Sequence, residues 1–231
     1  MAADGAVHAH QSAPARRKDD RTILSGILHV IKSDCRWKDC PSEYDPHTTV
    51  YNRFNRWARR RFWTGMLEAL AKAGWSGEAA ALDSTYVKAQ RADHGGKGGP
   101  TTKIHVLTDV IGRPGVIHLT PGNASDVKTA PAVLDKAPYP VRRLIADKGY
   151  DADWLRQDLR EQGISVVIPG TRARKRKIRL DKRRYRDRWR VEALVCRLKD
   201  FRSIATRYDK LARNFASALA LALATVIAFW C

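Results

Sequence analysis

Apolar residues recur at helical spacing near the start of the chain. In DRTILSGILHVIKS (20–33), Ile23, Leu24, Ile27, Leu28, Val30 and Ile31 fall on one side, which predicts an amphipathic helix. WKDCPSEYDPH follows as a loop, with Pro41 and Pro46 as breakers. In TTVYNRFNRWARRRFW, Val50, Phe54 and Trp57 repeat at i, i+4, i+7, and Thr48 stands where a cap is wanted. Arg53, Arg56, Arg59 and Arg60 lie largely off that stripe, and Met66–Ala73 continues as helix to Gly74. Two helices, a short loop and a basic outer face predict a helix-turn-helix-like unit, with an ordinary solvated helix as the equal alternative.

Near residue 80 the period shortens. ALDSTYVKAQ, TKIHVLTDV and PGVIHLT are β-branched and strand-like, the last two joined through Ile111-Gly112-Arg113 as a hairpin. RADHGGKGGP (91–100) is a glycine-rich connection matching neither a phosphate-binding loop nor a dinucleotide fingerprint. Ser125 or Asp126 caps a helix to about Asp135. Strand 142–146, helix 151–162 closed by Gly163, and strand 164–168 follow. A long helix is expected over 183–201 and a last one from about Tyr208. Three antiparallel strands followed by β-α-β crossovers give a mixed five-stranded sheet flanked by helices, an order that resembles the RNase H-like fold. The expected division is a disordered lead over 1–19, a helical DNA-binding domain over 20–76 and the α/β domain over 77–231.

The charge changes the picture next. Lys and Arg total 43 against 24 acids, a net charge of +19 with a pI near 10.2. Such an excess points to a polyanion, above all nucleic acid. Twelve Lys or Arg fall between Arg172 and Arg190, against Asp181 and Asp187, and would add salt-sensitive, sequence-blind affinity. The four cysteines form no CxxC pair, which argues against structural zinc and for reduced thiols. The lead has no apolar core for a signal peptide. The uncharged run Phe215–Trp230 has 16 residues, short of the roughly 20 that span a bilayer, so a buried terminal helix and no membrane are expected.

In this frame Asp147, closing an apolar strand, has a use beyond a capped turn. Phosphoryl transfer on DNA by two metals about 4 Å apart needs convergent carboxylates on rigid elements, and Mg²⁺ wants hard oxygen ligands. Asp83 sits in the first strand, and the strand ending at Asp147 can lie beside it. At roughly 100° per residue, Tyr185, Arg188, Glu192 and Lys199 share a narrow stripe of the long helix. Val191, Leu194, Val195 and Leu198 form its packing face. Trp189 is expected to pack, and His105 and His118 to be structural or half-exposed.

These residues carry a resemblance. Tyr185-x2-Arg188-x3-Glu192-x6-Lys199, LDSTYVKAQR around Asp83 and ADKGYDAD around Asp147 resemble the signature of the DDE-type transposases of bacterial insertion sequences, groups four and five. FRSIATRYDKLARNF and TVYNRFNRWARR are similar to that group's downstream segment and N-terminal DNA-binding helix. The resemblance implies that Asp83, Asp147 and Glu192 bind two Mg²⁺ or Mn²⁺ ions. It implies that water and then a DNA 3′-hydroxyl attack phosphodiesters in line, and that Tyr185, Arg188 and Lys199 touch phosphates and help align Glu192. Arg53 and Arg56 would contact DNA from the N-terminal helix. Partners would be double-stranded DNA, at element ends and target, and further copies of the chain, in a bacterial cytoplasm at the nucleoid. Members carry another helix ahead of the segment near Arg21, so the N-terminal domain is expected to be short. An RNase H-like nuclease without joining activity, and a DNA-binding remnant without chemistry, remain as alternatives.

Overall fold

A computed structural model describes residues 19–88, 101–206, 209 and 211–230. The lead over 1–18, the glycine-rich 91–100 and Tyr208 lie outside the described residues.

Asp19 caps the first helix, α1 (Asp20–Ser33), by accepting a hydrogen bond from the Arg21 N–H, and Ile23, Ile27, Val30 and Ile31 are buried as the period requires. The proline-bounded loop holds two single 3-10 turns, Trp37–Asp39 and Ser42–Tyr44. Helix α2 (His47–Arg59) buries Val50, Phe54 and Ala58. Its N-terminus follows Pro46, with no side-chain cap. Thr48 therefore lies inside the helix rather than before it: the Pro46 carbonyl accepts from the Thr49 and Val50 N–H groups and so starts the ladder at His47. Met66–Ala73 is helical up to Gly74 as expected, but in a separate helix. Arg61 adopts a left-handed backbone (φ 55°) that ends one helix and starts α3 (Phe62–Gly74).

The sheet has strands β1 (Ala79–Lys88), β2 (Thr101–Thr108), β3 (Pro114–Pro121), β4 (Arg143–Ala146) and β5 (Ser165–Val167). Their order is β3-β2-β1-β4-β5. The first three pair antiparallel, whereas β4 pairs parallel with β1 and β5 with β4. This is the expected RNase H-like arrangement. The β2–β3 turn is tied down by the buried Asp109 carboxylate, which accepts hydrogen bonds from the Ile111 and Arg113 N–H groups at 3.0 and 2.9 Å. Gly112 supplies its left-handed position (φ 93°). Gly115 lies under the Trp75 indole: an added Cβ would stand 2.2 Å from the ring, so only glycine lets α3's end close onto β3.

On one face of the sheet, α4 (Asp126–Leu134) and α5 (Asp153–Glu161) pack with Ala80, Leu82, Leu144 and Ala146. On the other lie α7 (Trp189–Lys199), α8 (Arg202–Thr206) and α9 (Ala212–Trp230). Their apolar cluster runs without interruption into α1, α2 and α3. Helix α9 is the shared element: Phe215, Leu219 and Leu223 are fully buried, in the cluster that contains Phe54 and Trp63. At 19 residues it is longer than the apolar run suggested. By length and composition alone it could cross a membrane, but most of it is buried inside the fold.

The helix expected over 183–201 is present from Lys182 to Lys199, with a right-handed helical backbone through 185–189, but its middle tightens into a 3-10 turn. Asp181 caps a short α6 (Lys182–Tyr185), a 3-10 turn holds Arg186–Arg188, and α7 begins at Trp189. Three cationic residues fill α6, and Arg188 is drawn from the tail of this turn towards acids on the sheet. Likewise α5 begins at Asp153 rather than Asp151, because Asp151 turns inward to bind two arginines.

Candidate active site

In the β1–β4 pair Ala81 faces Ile145 and Leu82 faces Ala146. The next residue on each strand is an acid, Asp83 on β1 and Asp147 just past β4. Strand side chains alternate between faces. Ala81 and Ile145 pack with Val191 of α7, so Asp83 and Asp147, two residues on, also project to the α7 face. The burial of Leu144 and Ala146 against α4 and α5 fixes this choice, because a one-residue slip would place the acids on the wrong side. Asp147 accepts the Gly149 N–H at 2.8 Å and so caps the 3-10 turn Lys148–Tyr150. The capped turn and the strand-end acid are therefore one structure.

Glu192 comes from the first turn of α7, whose Val191, Leu194, Val195 and Leu198 are buried as expected. Its side chain is 52% exposed and bonded to Arg188. The other arm of the same guanidinium reaches Asp83 Oδ1 at 3.1 Å. Asp83 and Arg188 side chains are each only 15% exposed. Burial pushes the Asp83 carboxyl above its ordinary value. Arg188 and the Ser84 backbone oppose the shift, and the neighbouring Asp147 adds to it. Burial works against the charge on Arg188, yet Asp83 and Glu192 outweigh it and hold the guanidinium firmly protonated.

The three acids thus do not meet directly. Among the described residues no three His, Cys, Asp or Glu side chains stand close enough to hold a metal ion. The physical reason is Arg188, inserted between Glu192 and Asp83. The donor set nevertheless fits a hard divalent cation: Asp83 and Asp147 continue one register, and the site already places a positive group between Asp83 and Glu192.

The other expected residues divide. Tyr185 is half-buried against Ala81, Ile145, Val167 and Val191 and braces the α6–α7 junction on the sheet. Lys199 and Arg56 are exposed. Arg53 forms an ion pair with Asp20 and lies 5.3 Å from the Trp57 ring. It joins α2 to α1, which its position off the apolar stripe did not reveal. Trp189 is 58% exposed rather than packed, because the buried face of α7 starts two residues later.

A buried polar cluster behind the site escaped the sequence reading. Asp126, at the start of α4, accepts from Ser84 at 2.9 Å and pairs with Lys103 at 3.0 Å. Burial opposes charge on Lys103, but Tyr86 and Asp126 outweigh it and raise its value. His105 is fully buried beside Asp126 and bonds Thr120 at 2.9 Å. Burial lowers its value to about 4, so it is neutral at physiological pH. His118 is half-buried and bonds Lys136. The legible signal was alternation itself: if Asp83 faces α7, Ser84 and its partner His105 face α4.

The sequence matches the family described as Transposase DDE domain over residues 74–227. The chain belongs to this DDE transposase family. The helical segment matches a second family, described as a transposase of the IS4/5 family, over residues 6–67. A Brucella ovis protein named as a transposase for insertion sequence element IS6501 is 34% identical over 127 residues, covering 54% of this chain and 97% of that protein. A Burkholderia cepacia protein named as a transposase for IS402 is 32% identical over 123 residues, covering 49% of this chain and 56% of that protein, so the match spans about half of that relative's length. Among solved structures, the catalytic core domain of BIV integrase overlaps 65% of this chain and 84% of its own, at 17% identity and a TM-score of 0.39. For this DDE transposase the two strand-borne aspartates fall inside the matched region, as does Glu192.

Proposed function

We propose that the chain is the transposase of an insertion sequence and catalyses metal-dependent cleavage and strand transfer of DNA. The observation that carries this reading is the β1–β4 register, which sets Asp83 and Asp147 side by side beneath the helix bearing Glu192. Asp83, Asp147 and Glu192 would hold two Mg²⁺ or Mn²⁺ ions. When bound, such ions supply Lewis acidity to the attacking oxygen and to the scissile phosphodiester.

The chain's own residues do the rest. Asp83 stands inside β1 and Asp147 directly after β4, at positions that the sheet fixes, so their carboxylates need little reorganisation. Arg188 can fork onto a phosphate, while Lys199 acts as a point charge. Tyr185 packs at the same junction, and its hydroxyl would serve as a phosphate contact. Arg56, Arg59, Arg60 and Arg61, all exposed around the α2–α3 turn, form the basic surface of the helical segment. Double-stranded DNA at element ends and target is the partner, and we take two or more copies to act together on paired ends.

One assay separates this reading from its rivals. Purified protein is incubated with Mg²⁺, labelled duplex carrying the element's own terminal sequence, and a supercoiled target plasmid. Labelled ends covalently joined to the plasmid are expected. Nicked DNA without joined product would indicate a nuclease, and retarded but intact DNA would indicate a binder.

A further inference from the structure

We propose that in the DNA-free protein Arg188 occupies the cation seat between Asp83 and Glu192, and that a DNA phosphate must draw its guanidinium away before a divalent ion enters. Binding is then ordered, DNA first and metal second. This rests on the proposed metal-dependent chemistry and adds a sequence of events to it.

Three features of Arg188 support it. First, its two terminal nitrogens are spent on two of the three acids, Asp83 and Glu192, so these carboxylates face an arginine and not one another. A divalent ion shared by them would have to stand against a fixed positive charge. Second, the arginine is incompletely satisfied. Its Nε is buried without a hydrogen-bond partner. Leaving such a donor unpaired is unfavourable, whereas a phosphate offers several oxygens to the planar fork. Third, Arg188 ends the 3-10 turn Arg186–Arg188 between two α-helical pieces. Short 3-10 segments have poorer hydrogen-bond geometry than the α-helix on either side, so the backbone carrying Arg188 is the least firmly held part of this stretch. The same stretch carries exposed Arg183, Arg184 and Arg186, which would gather phosphates beside it.

The seat is therefore filled by a cation the chain itself supplies, beside the surface where DNA would arrive. Linkage makes the consequence reciprocal: if DNA tightens metal binding by some factor, metal tightens DNA binding by the same factor.

The test is Mn²⁺ binding to the full chain, followed by loss of the free-ion electron paramagnetic resonance signal. Wild type, Arg188→Gln and Asp147→Asn are compared with and without a short duplex, and Asp147→Asn gives the background from DNA and surface sites. Without DNA, Arg188→Gln is expected to bind Mn²⁺ about tenfold tighter than wild type, within the usual range of coupling. The duplex should tighten Mn²⁺ binding to wild type by a similar factor and to Arg188→Gln much less. Equal or weaker binding by Arg188→Gln without DNA overturns the proposal while leaving the metal site intact. Binding no greater than the Asp147→Asn background in every other sample overturns the metal reading as well. If Arg188→Gln does not fold, the wild-type comparison decides alone: no tightening by duplex above background overturns the order.

Discussion

Asp147→Asn is expected to abolish DNA cleavage while leaving DNA binding in place. The substitution keeps an oxygen that can accept the Gly149 N–H, so the turn after β4 is preserved. Only the charge is lost. If Asp147 helps hold a catalytic cation, losing several kcal/mol of charge stabilisation lowers the rate by about 10³-fold or more. Duplex affinity should hold or rise slightly, because a negative charge has been removed from a surface that receives phosphates. Gel retardation beside a cleavage time course checks both halves. Retained cleavage would refute a catalytic role for the strand pair. Asp147 is a cleaner target than Asp83, whose replacement would also strip Arg188 of a partner.

Asp151→Ala is expected to cost about 3–5 kcal/mol of stability, the loss typical of breaking a buried ion pair from one side. The Asp151 side chain is fully buried and receives Arg156 at 2.8 Å and Arg174 at 2.7 Å. It also accepts the Thr171 N–H at 2.7 Å. Arg156, itself buried, donates onward to the Ile168 carbonyl. Removing the carboxylate strands that guanidinium and releases the start of the basic segment, which Arg174 otherwise fastens to α5 through Asp151 and Asp153. Burial alone would raise the Asp151 carboxyl, but the bonds from Arg174, the Thr171 backbone and Arg156 outweigh it and hold it well below the ordinary range. A depressed folded-state value means that this stabilisation is fully present above the unfolded value of about 4. It is lost as pH falls below that towards the folded value. Urea unfolding of wild type and Asp151→Ala from pH 7 down to pH 3 should show the gap narrowing at the acid end. A constant gap would mean that the carboxylate's charge contributes nothing.

The sheet was legible because alternation and turn residues are local. Pro121-Gly122, Gly163 and the β-branched runs mark the strands, and the order of elements leaves few topologies. Convergence of Asp83 with Asp147 followed from that order. The α6–α7 region was less legible. A uniform 100° per residue put Tyr185, Arg188, Glu192 and Lys199 on one stripe, but the 3-10 turn at 186–188 changes the phase, and long-range attraction sends Arg188 to Asp83. The Arg53–Asp20 pair leaves no local trace for a similar reason: its members lie 33 residues apart in sequence. Asp151 looked like the start of a helix, and its arginines lie 5 and 23 residues downstream. Side-chain ion pairs between distant segments leave no periodic trace. The helix stripe, and then the family resemblance, pointed to Glu192 as a third acid, whereas the structure supplied the arginine that separates it from Asp83.

Anomalous scattering from Mn²⁺ in crystals of the chain bound to element-end duplex tests most directly whether Asp83, Asp147 and Glu192 hold divalent ions once Arg188 has moved to a phosphate. The expected result is Mn²⁺ density bounded by Asp83 and Asp147, with Glu192 turned towards it and Arg188 on a phosphate. Density only on the DNA, with Arg188 still bridging Asp83 and Glu192, would contradict it.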